Sequence, residues 1–380
     1  MPIHILHLHS TFALGGKEAR AVRLMNAFGD LARHTIVSAM PDQYSARDAI
    51  AKGIKYEIAQ NPPPLSGRPS VRRYETIARF MRRFDLVLTY NWGAIDGVMA
   101  ARVFGKGLPA IVHHEDGFNQ DEAVRLNPVR NVYRRIALPA ANAVVVPSGT
   151  LEVIARKHWH VPPERLVRIA NGIPVERYAG KPDPKAIPGF ERKPGETVIG
   201  SVAGLRVVKD LPMLVRACGG MISKMRLVIV GEGPERAAIE AAAERMGIAD
   251  RVLLPGFLPD PHRYMGLFDI FALSSQSEQA PISVIEAMAS GLPVVAPVLG
   301  DIPHMIAPLN LRYLASVRTE VAVRDQLDIL AQYPEERARV GEANRAQARA
   351  LFGEARMVAA YARLYGDAMG RPGVLERNKG

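Results

Sequence analysis

Short runs of consecutive apolar residues recur along the chain, each separated from the next by a stretch of helical apolar period. In the first half, residues 3–8, 34–39, 85–89, 109–113 and 143–147 predict strands, and residues 18–31 and 71–83 predict amphipathic helices between them. Short strands alternating with helices indicate βαβ units and a parallel sheet. The pattern stops after Tyr178 at GKPDPKAIPGFERKPGE, whose Pro, Gly and Lys content predicts a linker. It restarts with strands at 197–202, 226–230, 252–254, 270–273 and 292–295. Residues 334–370 carry no strand signal and predict two helices, the first with an ordinary solvated face of alternating charge and Ala. The expected division is a Rossmann-like domain over 1–178, a linker over 179–196, a second Rossmann-like domain over 197–355, and a helix within 356–380. A cleft between the two domains is expected.

Composition narrows the function classes. At roughly 100–200 residues per domain, 380 residues require two or more domains, and 48% apolar residues exclude whole-chain disorder. A single cysteine, Cys218, excludes a disulfide framework and cysteine-based metal sites. No apolar run is long enough to span a membrane, and MPIHILHLHSTF lacks the layout of a signal peptide, so a cytoplasmic protein is expected. The net charge of +11 is uneven: residues 1–180 hold 24 Lys+Arg against 15 Asp+Glu, while residues 181–380 hold 25 against 23. The basic half suggests an acidic partner such as nucleic acid, a polyanionic substrate or a membrane surface.

Several chemistries fail on spacing. No P-loop, GxSxG or HExxH pattern occurs. In Gly231-Glu232-Gly233-Pro234-Glu235-Arg236 an arginine takes the third glycine position of a dinucleotide loop, and Arg251 stands where the acid belongs. With no Asp-x-Asp pair, no metal site is expected. His7 and His9 share one strand face, which strand packing explains.

One segment carries more. A strand runs into Ser277-Glu278-Gln279-Ala280, a helix opens near Pro281, and Gly291-Leu292-Pro293 ends it. Such a helix start points its N–H groups at the carboxyl end of the sheet, where ligands bind in open α/β folds. Glu278 in the loop and Glu286 in the helix can both face one pocket and accept hydrogen bonds from sugar hydroxyls.

The seven-residue gap between Glu278 and Glu286, followed by AMASGLPVVA, resembles the donor-site motif of family-4 retaining glycosyltransferases. Gly15-Gly16-Lys17-Glu18 resembles that family's loop after the first strand. Pro147-Ser148, Asn171-Gly172-Ile173, Gly231-Glu232-Gly233-Pro234 and Pro255-Gly256-Phe257 resemble further landmarks in the same order. The resemblance implies a GT-B fold of two facing Rossmann-like domains, with the last helix packing back on the first. Within the family the chain resembles the exopolysaccharide-type sugar transferases, whose phosphate loop is similar to Leu205-Arg206-Val207-Val208-Lys209-Asp210.

What the resemblance implies for the site can be stated by residue. Lys209 holds the donor pyrophosphate, and Arg206 or another cation stands in for an arginine that the family places where this chain has Gly204. Glu286 takes the ribose hydroxyls and Glu278 the sugar hydroxyls. Gly231, Gly256, Phe257, Ala280, Pro281 and Ile282 line the nucleotide pocket, and Gly15 and Gly16 let N–H groups approach the phosphates. At the strand end His113-His114-Glu115-Asp116, Asp116 occupies the position of a family histidine, and His113, His114 and Asp116 are candidates for contact with the sugar. Together with Lys209 and Glu278 they form the expected catalytic set. The donor is expected to be a UDP- or GDP-sugar, with no further cofactor, and the acceptor a glycan or lipid-linked glycan. An anionic membrane surface is a further expected partner, through the arginines of 68–83 and through Arg130, Arg134 and Arg135. A nucleotide-sugar epimerase of the same fold is the alternative, and a basic nucleic-acid-binding protein a more distant one; no nucleic acid is expected.

Overall fold

The computed structural model describes residues 2–118, 122 and 125–377. The chain forms two units: Met1–Gly117, Leu126–Asn171 and Ala355–Gly380 make the first, and Gly172–Glu354 with Phe118–Arg125 the second. Each is built on a parallel sheet, as the alternating pattern predicts.

In the first unit the strands are β1 (Ile3–His9), β2 (Ala32–Ser38), β3 (Tyr56–Ile58), β4 (Leu86–Tyr90), β5 (Ala110–His114), β6 (Ala143–Val146) and β7 (Leu166–Arg168), in the order β3-β2-β1-β4-β5-β6-β7. The two edge strands have three residues each and carry too little pattern to be read from sequence. The helices are α1 (Gly16–Phe28), α2 (Val71–Met81), α3 (Ile95–Phe104), α4 (Pro128–Ala137) and α5 (Gly149–His158). Local chemistry sets their starts. Ser70 Oγ accepts from Arg73 N at α2, Asn127 Oδ1 from Val129 N and Arg130 N at α4, and Ser148 Oγ from Leu151 N at α5.

The second unit holds β8 (Thr197–Val202), β9 (Met225–Val230), β10 (Val252–Gly256), β11 (Ile270–Ala272) and β12 (Val294–Val295), in the order β10-β9-β8-β11-β12. Its helices are α6 (Leu211–Gly219), α7 (Arg236–Arg245), α8 (Ile282–Ala289), α9 (Ile302–Met305), α10 (Glu320–Gln332) and α11 (Pro334–Leu351). Residues 172–196 pack with this unit, so the boundary falls before the stretch that reads as a linker. The cause is burial: Ile173, Val175, Tyr178 and Ile187 enter the core around Val228, Phe268 and Phe271. The ion pairs Arg263–Asp183 and Arg192–Asp269 add surface ties.

The last helix, α12 (Glu354–Ala368), belongs to the first unit, as expected of a tail that packs back. Its Met357, Tyr361 and Tyr365 complete a core with Leu24 and Phe28 of α1 and with Ile5, Leu88 and Val112 of the sheet.

That unit also buries a column of rings. The His9 ring stacks on Tyr90 with centroids 4.0 Å apart, and Tyr90 on His114 at 4.7 Å. His7 Nε2 lies 3.0 Å from His34 Nδ1. Burial pushes all four imidazoles down, His34 to about 4 and His114 to about 3, with His7 and His9 also well below the ordinary value. Below about pH 6.5 the unfolded chain therefore binds more protons than the folded one. The stabilisation is complete above that pH and is lost progressively as pH falls toward the folded values. Both tryptophans of the chain, Trp92 and Trp159, lie in this unit, so their fluorescence reports on it. The thermal transition they report should hold nearly level from pH 8 to 7 and shift down from about pH 6.5 to 5, and a midpoint that does not change across the lower range would contradict the linkage.

Candidate functional site

The strands of the second sheet are parallel, so the loops after β8, β9, β10 and β11 all leave from one edge. Backbone bonds knit these loops together. Leu205 N donates to Glu232 O at 2.9 Å, Gly231 N to Gly256 O at 2.9 Å, and Gln276 N to Val208 O at 2.8 Å. Gly231 has φ +150°, and a Cβ there would lie 1.9 Å from Ala203 O. Only glycine lets these two loops touch. The role of Gly231 is thus first of all loop packing, with Gly256 accepting from its N–H and Phe257 exposed beyond.

Two residues far apart in sequence meet at this edge. Lys209, in a short turn after β8, donates from Nζ to Glu278 Oε1 at 2.5 Å, and Ser275 Oγ donates to the same oxygen at 2.6 Å. Ser274 Oγ donates to the Lys209 carbonyl at 2.9 Å, fixing the turn that carries the ammonium. The Glu278 side chain is 8% exposed and that of Lys209 25%. Arg206 is exposed, and a Cβ built on Gly204 would sit 3.6 Å from its Nε. The Arg206 side chain therefore lies beside the position where the resemblance expects an arginine.

Helix α8 starts directly after Pro281 with no side chain capping its N–H groups, and Ala280, Pro281 and Ile282 are half-buried around that start. Glu286 follows in the second turn, buried, and its Oε1 accepts from the Tyr178 hydroxyl at 3.0 Å. Sequence reasoning used Tyr178 only as the end of a domain. Nothing in its immediate pattern marks it, since its partner stands 108 positions away.

The first unit sorts the strand-end cluster onto different partners. His113 is fully buried, with Nδ1 2.8 Å from Thr89 Oγ1 and Nε2 3.5 Å from Glu115 Oε2; Arg134 Nε lies 3.5 Å from the same carboxylate oxygen. His114 is buried with Nε2 2.8 Å from Tyr365 Oη. Asp116 forms a two-pronged pair with Arg20, including Arg20 Nη2 to Oδ2 at 2.9 Å, and its N–H donates to Asn91 Oδ1 at 2.7 Å. Arg20 also donates to Asn171 Oδ1 at 3.2 Å and lies over the Tyr361 ring. Burial pushes the Asp116 carboxyl up, but the charge and hydrogen bonds of Arg20 outweigh it and hold the group below its ordinary value. Protein groups thus hold Nδ1 of His113 and Nε2 of His114, while His113 Nε2 and the Glu115 carboxylate oxygens are buried without a hydrogen bond among the described residues. Arg20 of α1 is the partner that Asp116 answers, and no local pattern marks it, since the two stand 96 positions apart.

Gly15 precedes α1 in an extended conformation, and a Cβ there would lie 2.9 Å from Glu18 Oε2. The glycine therefore makes room for Glu18, which folds back toward the helix start and pairs with Lys17. Burial raises the Glu18 carboxyl against the pull of Lys17. Gly16 opens α1 as its first residue.

Comparison with known proteins extends over nearly the whole chain. Residues 3–177 match the family described as Glycosyltransferase Family 4, and residues 183–347 match Glycosyl transferases group 1. The N-acetyl-alpha-D-glucosaminyl L-malate synthase of Bacillus anthracis is 26% identical over 64% of this chain and 64% of its own length. The UDP-Gal:alpha-D-GlcNAc-diphosphoundecaprenol alpha-1,3-galactosyltransferase of Escherichia coli is 27% identical over 56% and 57%. The chain thus spans somewhat under two thirds of these curated relatives. Among solved structures, Anabaena HepE in complex with UDP and glucose superposes with a TM-score of 0.80 at 18% identity, covering 96% of this chain and all of HepE. WaaG, described as involved in lipopolysaccharide biosynthesis, gives 0.68 at 16% identity with full coverage of both.

Proposed function

Because this chain belongs to the group 1, family-4 glycosyltransferases and has their GT-B fold, we propose that it transfers a sugar from a nucleotide-sugar donor to a glycan or lipid-linked acceptor, with retention of configuration and without a metal ion. The observation that carries this reading is the meeting of Lys209 and Glu278 at the carboxyl edge of the second sheet. A cation and a sugar-binding carboxylate are the two groups a nucleotide sugar needs side by side. HepE, the structural relative, is described with UDP and glucose bound.

In the proposed reaction the acceptor hydroxyl oxygen bonds to the sugar C1 and the C1–O bond to the diphosphate breaks. The nucleoside diphosphate leaves with the electron pair, and the hydroxyl proton passes to a phosphate oxygen. Lys209, Arg206 and the N–H groups opening α8 offset the charge that develops on the leaving group. Glu286 takes the ribose and Glu278 the sugar hydroxyls. Asp116 and the two histidines act by holding the first unit's strand end.

The test is thermal stabilisation across UDP-, GDP- and ADP-sugars, followed by turnover of the best donor. One nucleotide class should raise the transition and support transfer in the presence of EDTA. Among the described residues no three of His, Cys, Asp and Glu are grouped to hold a metal. Loss of activity in EDTA that magnesium restores would overturn the metal-free part of the proposal, and an epimerised donor without acceptor would overturn transfer itself.

The acceptor side motivates a membrane surface as partner. The E. coli relative is named for a diphosphoundecaprenol-linked acceptor. No helix among the described residues is long and apolar enough to cross a membrane. Arg72, Arg79, Arg82 and Arg83 are exposed on and after α2, while Ile77 and Met81, expected to interrupt that surface, are buried beneath it. The expected second cluster changes membership. Arg134 is buried between Trp92 and Trp159, whereas Val129, Val132 and Ile136 of α4 are 77%, 52% and 49% exposed beside Arg135. Helices α2 and α4 are tied by the Tyr74 and Tyr133 hydroxyls, 2.7 Å apart. At about 1 kcal/mol per basic residue near an anionic surface, the protein should co-sediment with phosphatidylserine vesicles at low salt and release near roughly 0.5 M salt. Replacing Arg72, Arg79 and Arg83 by Ser should weaken binding and spare donor hydrolysis. Binding that ignores these three residues would remove the role.

A further inference from the structure

We infer that Tyr178 is a positioning residue for the nucleotide, acting through Glu286; the inference rests on the reading that Glu286 holds the ribose. Tyr178 lies in the short turn Val175–Ala179, one of the segments that pack against α8. Its ring is 5% exposed and meets His262 edge-to-face, with centroids 6.1 Å apart and planes at 74°. His262 is itself braced, with Nε2 3.2 Å from Arg177 Nη2. The ring is thus buried against His262, and its hydroxyl donates to Glu286 Oε1 at 3.0 Å.

The consequence concerns geometry. A glutamate has three side-chain torsions, and a carboxylate that reads two neighbouring hydroxyls must present its oxygens in one plane. Glu286 is 6% exposed, so solvent does little to orient it. A hydroxyl donating to a carboxylate makes a charge-assisted bond. The Tyr178 hydroxyl therefore helps to hold the carboxylate in place before nucleotide arrives, which lowers the ordering cost of binding. Phenylalanine at this position would keep the ring and its packing but lose the orientation. Discrimination for the ribose would fall, while affinity for the base and phosphates would remain.

The experiment measures the dissociation constants of UDP and GDP, each beside its 2′,3′-dideoxy analogue, by calorimetry. Wild type should prefer the ribose form of its nucleotide by tenfold or more, an order expected for hydrogen bonds to a charged group. In Tyr178→Phe that preference should shrink several-fold through weaker binding of the ribose form alone, and the kinetic loss should fall on KM for the donor more than on kcat. In a Glu286→Ala background, adding Tyr178→Phe should change the preference no further, since both act on one contact. An intact preference in Tyr178→Phe overturns the inference, as does an equal loss for ribose and dideoxy forms, which would mean a packing role. A wild type indifferent to the ribose hydroxyls with both nucleotides refutes the assignment of Glu286, and the inference with it. The two failures are therefore told apart by the wild-type measurement.

Discussion

Lys209→Ala is expected to lower kcat/KM by roughly 10- to 150-fold, equivalent to about 1.5–3 kcal/mol for a hydrogen bond to a charged group. The loss should fall mainly on kcat, because the ammonium gains most when the diphosphate departs with its full charge. The fold should barely notice. The Lys209 side chain is a quarter exposed, and after its removal Glu278 still accepts from Ser275. Thermal midpoints within about 2 °C of wild type, measured beside the kinetics, would separate a site effect from unfolding. Wild-type kcat/KM in the folded variant would remove Lys209 from the donor site, and the paired Glu278 would lose its strongest support as well.

Asp116→Asn is expected to act through stability. Arg20 has a side chain 2% exposed, and Asp116 is its charge partner. Removing one member of a buried pair leaves an uncompensated charge in a site that cannot hydrate it. The cost is about 3 kcal/mol, the low end of the usual range because the amide oxygen still accepts. For a domain of this size that corresponds to about 6–12 °C in the tryptophan-detected midpoint. The double change Arg20→Met with Asp116→Leu should recover a large part of the loss, since apolar replacement of a whole buried pair is often neutral. An unchanged midpoint in Asp116→Asn would show that the pair contributes nothing net. Any loss of activity beyond the loss of folded protein would give Asp116 a role toward substrate as well.

The core strands were legible because a buried parallel strand is apolar on both faces, and a run such as Ile3 to Leu8 admits little else. The edge strands Tyr56–Ile58 and Leu166–Arg168 were not, since three residues hold no period. The Glu278–Glu286 segment was legible as loop, helix and carboxylates, because spacing along one helix is a local quantity. What its carboxylates touch was not. Lys209 lies 69 positions from Glu278 and Tyr178 lies 108 from Glu286, and no periodicity reaches that far. The partners of the strand-end cluster were illegible for a related reason. Four polar residues in a row suggest a site role without saying what each one touches, and adjacent strand residues face opposite sides. His113 and His114 were thereby delivered to different buried partners, Thr89 and Tyr365. Arginine counting likewise overstated the surface, because Arg134 is spent between two indole rings.

The return of α12 to the first unit fixes an order of events during synthesis. Tyr361 and Tyr365, which cover Arg20 and His114, follow the entire second unit in the chain. At about 5–20 residues per second, the nascent first unit waits roughly 10–40 s between emergence of its sheet and arrival of the helix that closes it. During that interval the apolar face made by Ile5, Leu88 and Val112 stands open, while the second unit can already be complete. The half of the protein that leaves the ribosome first is therefore the half that matures last.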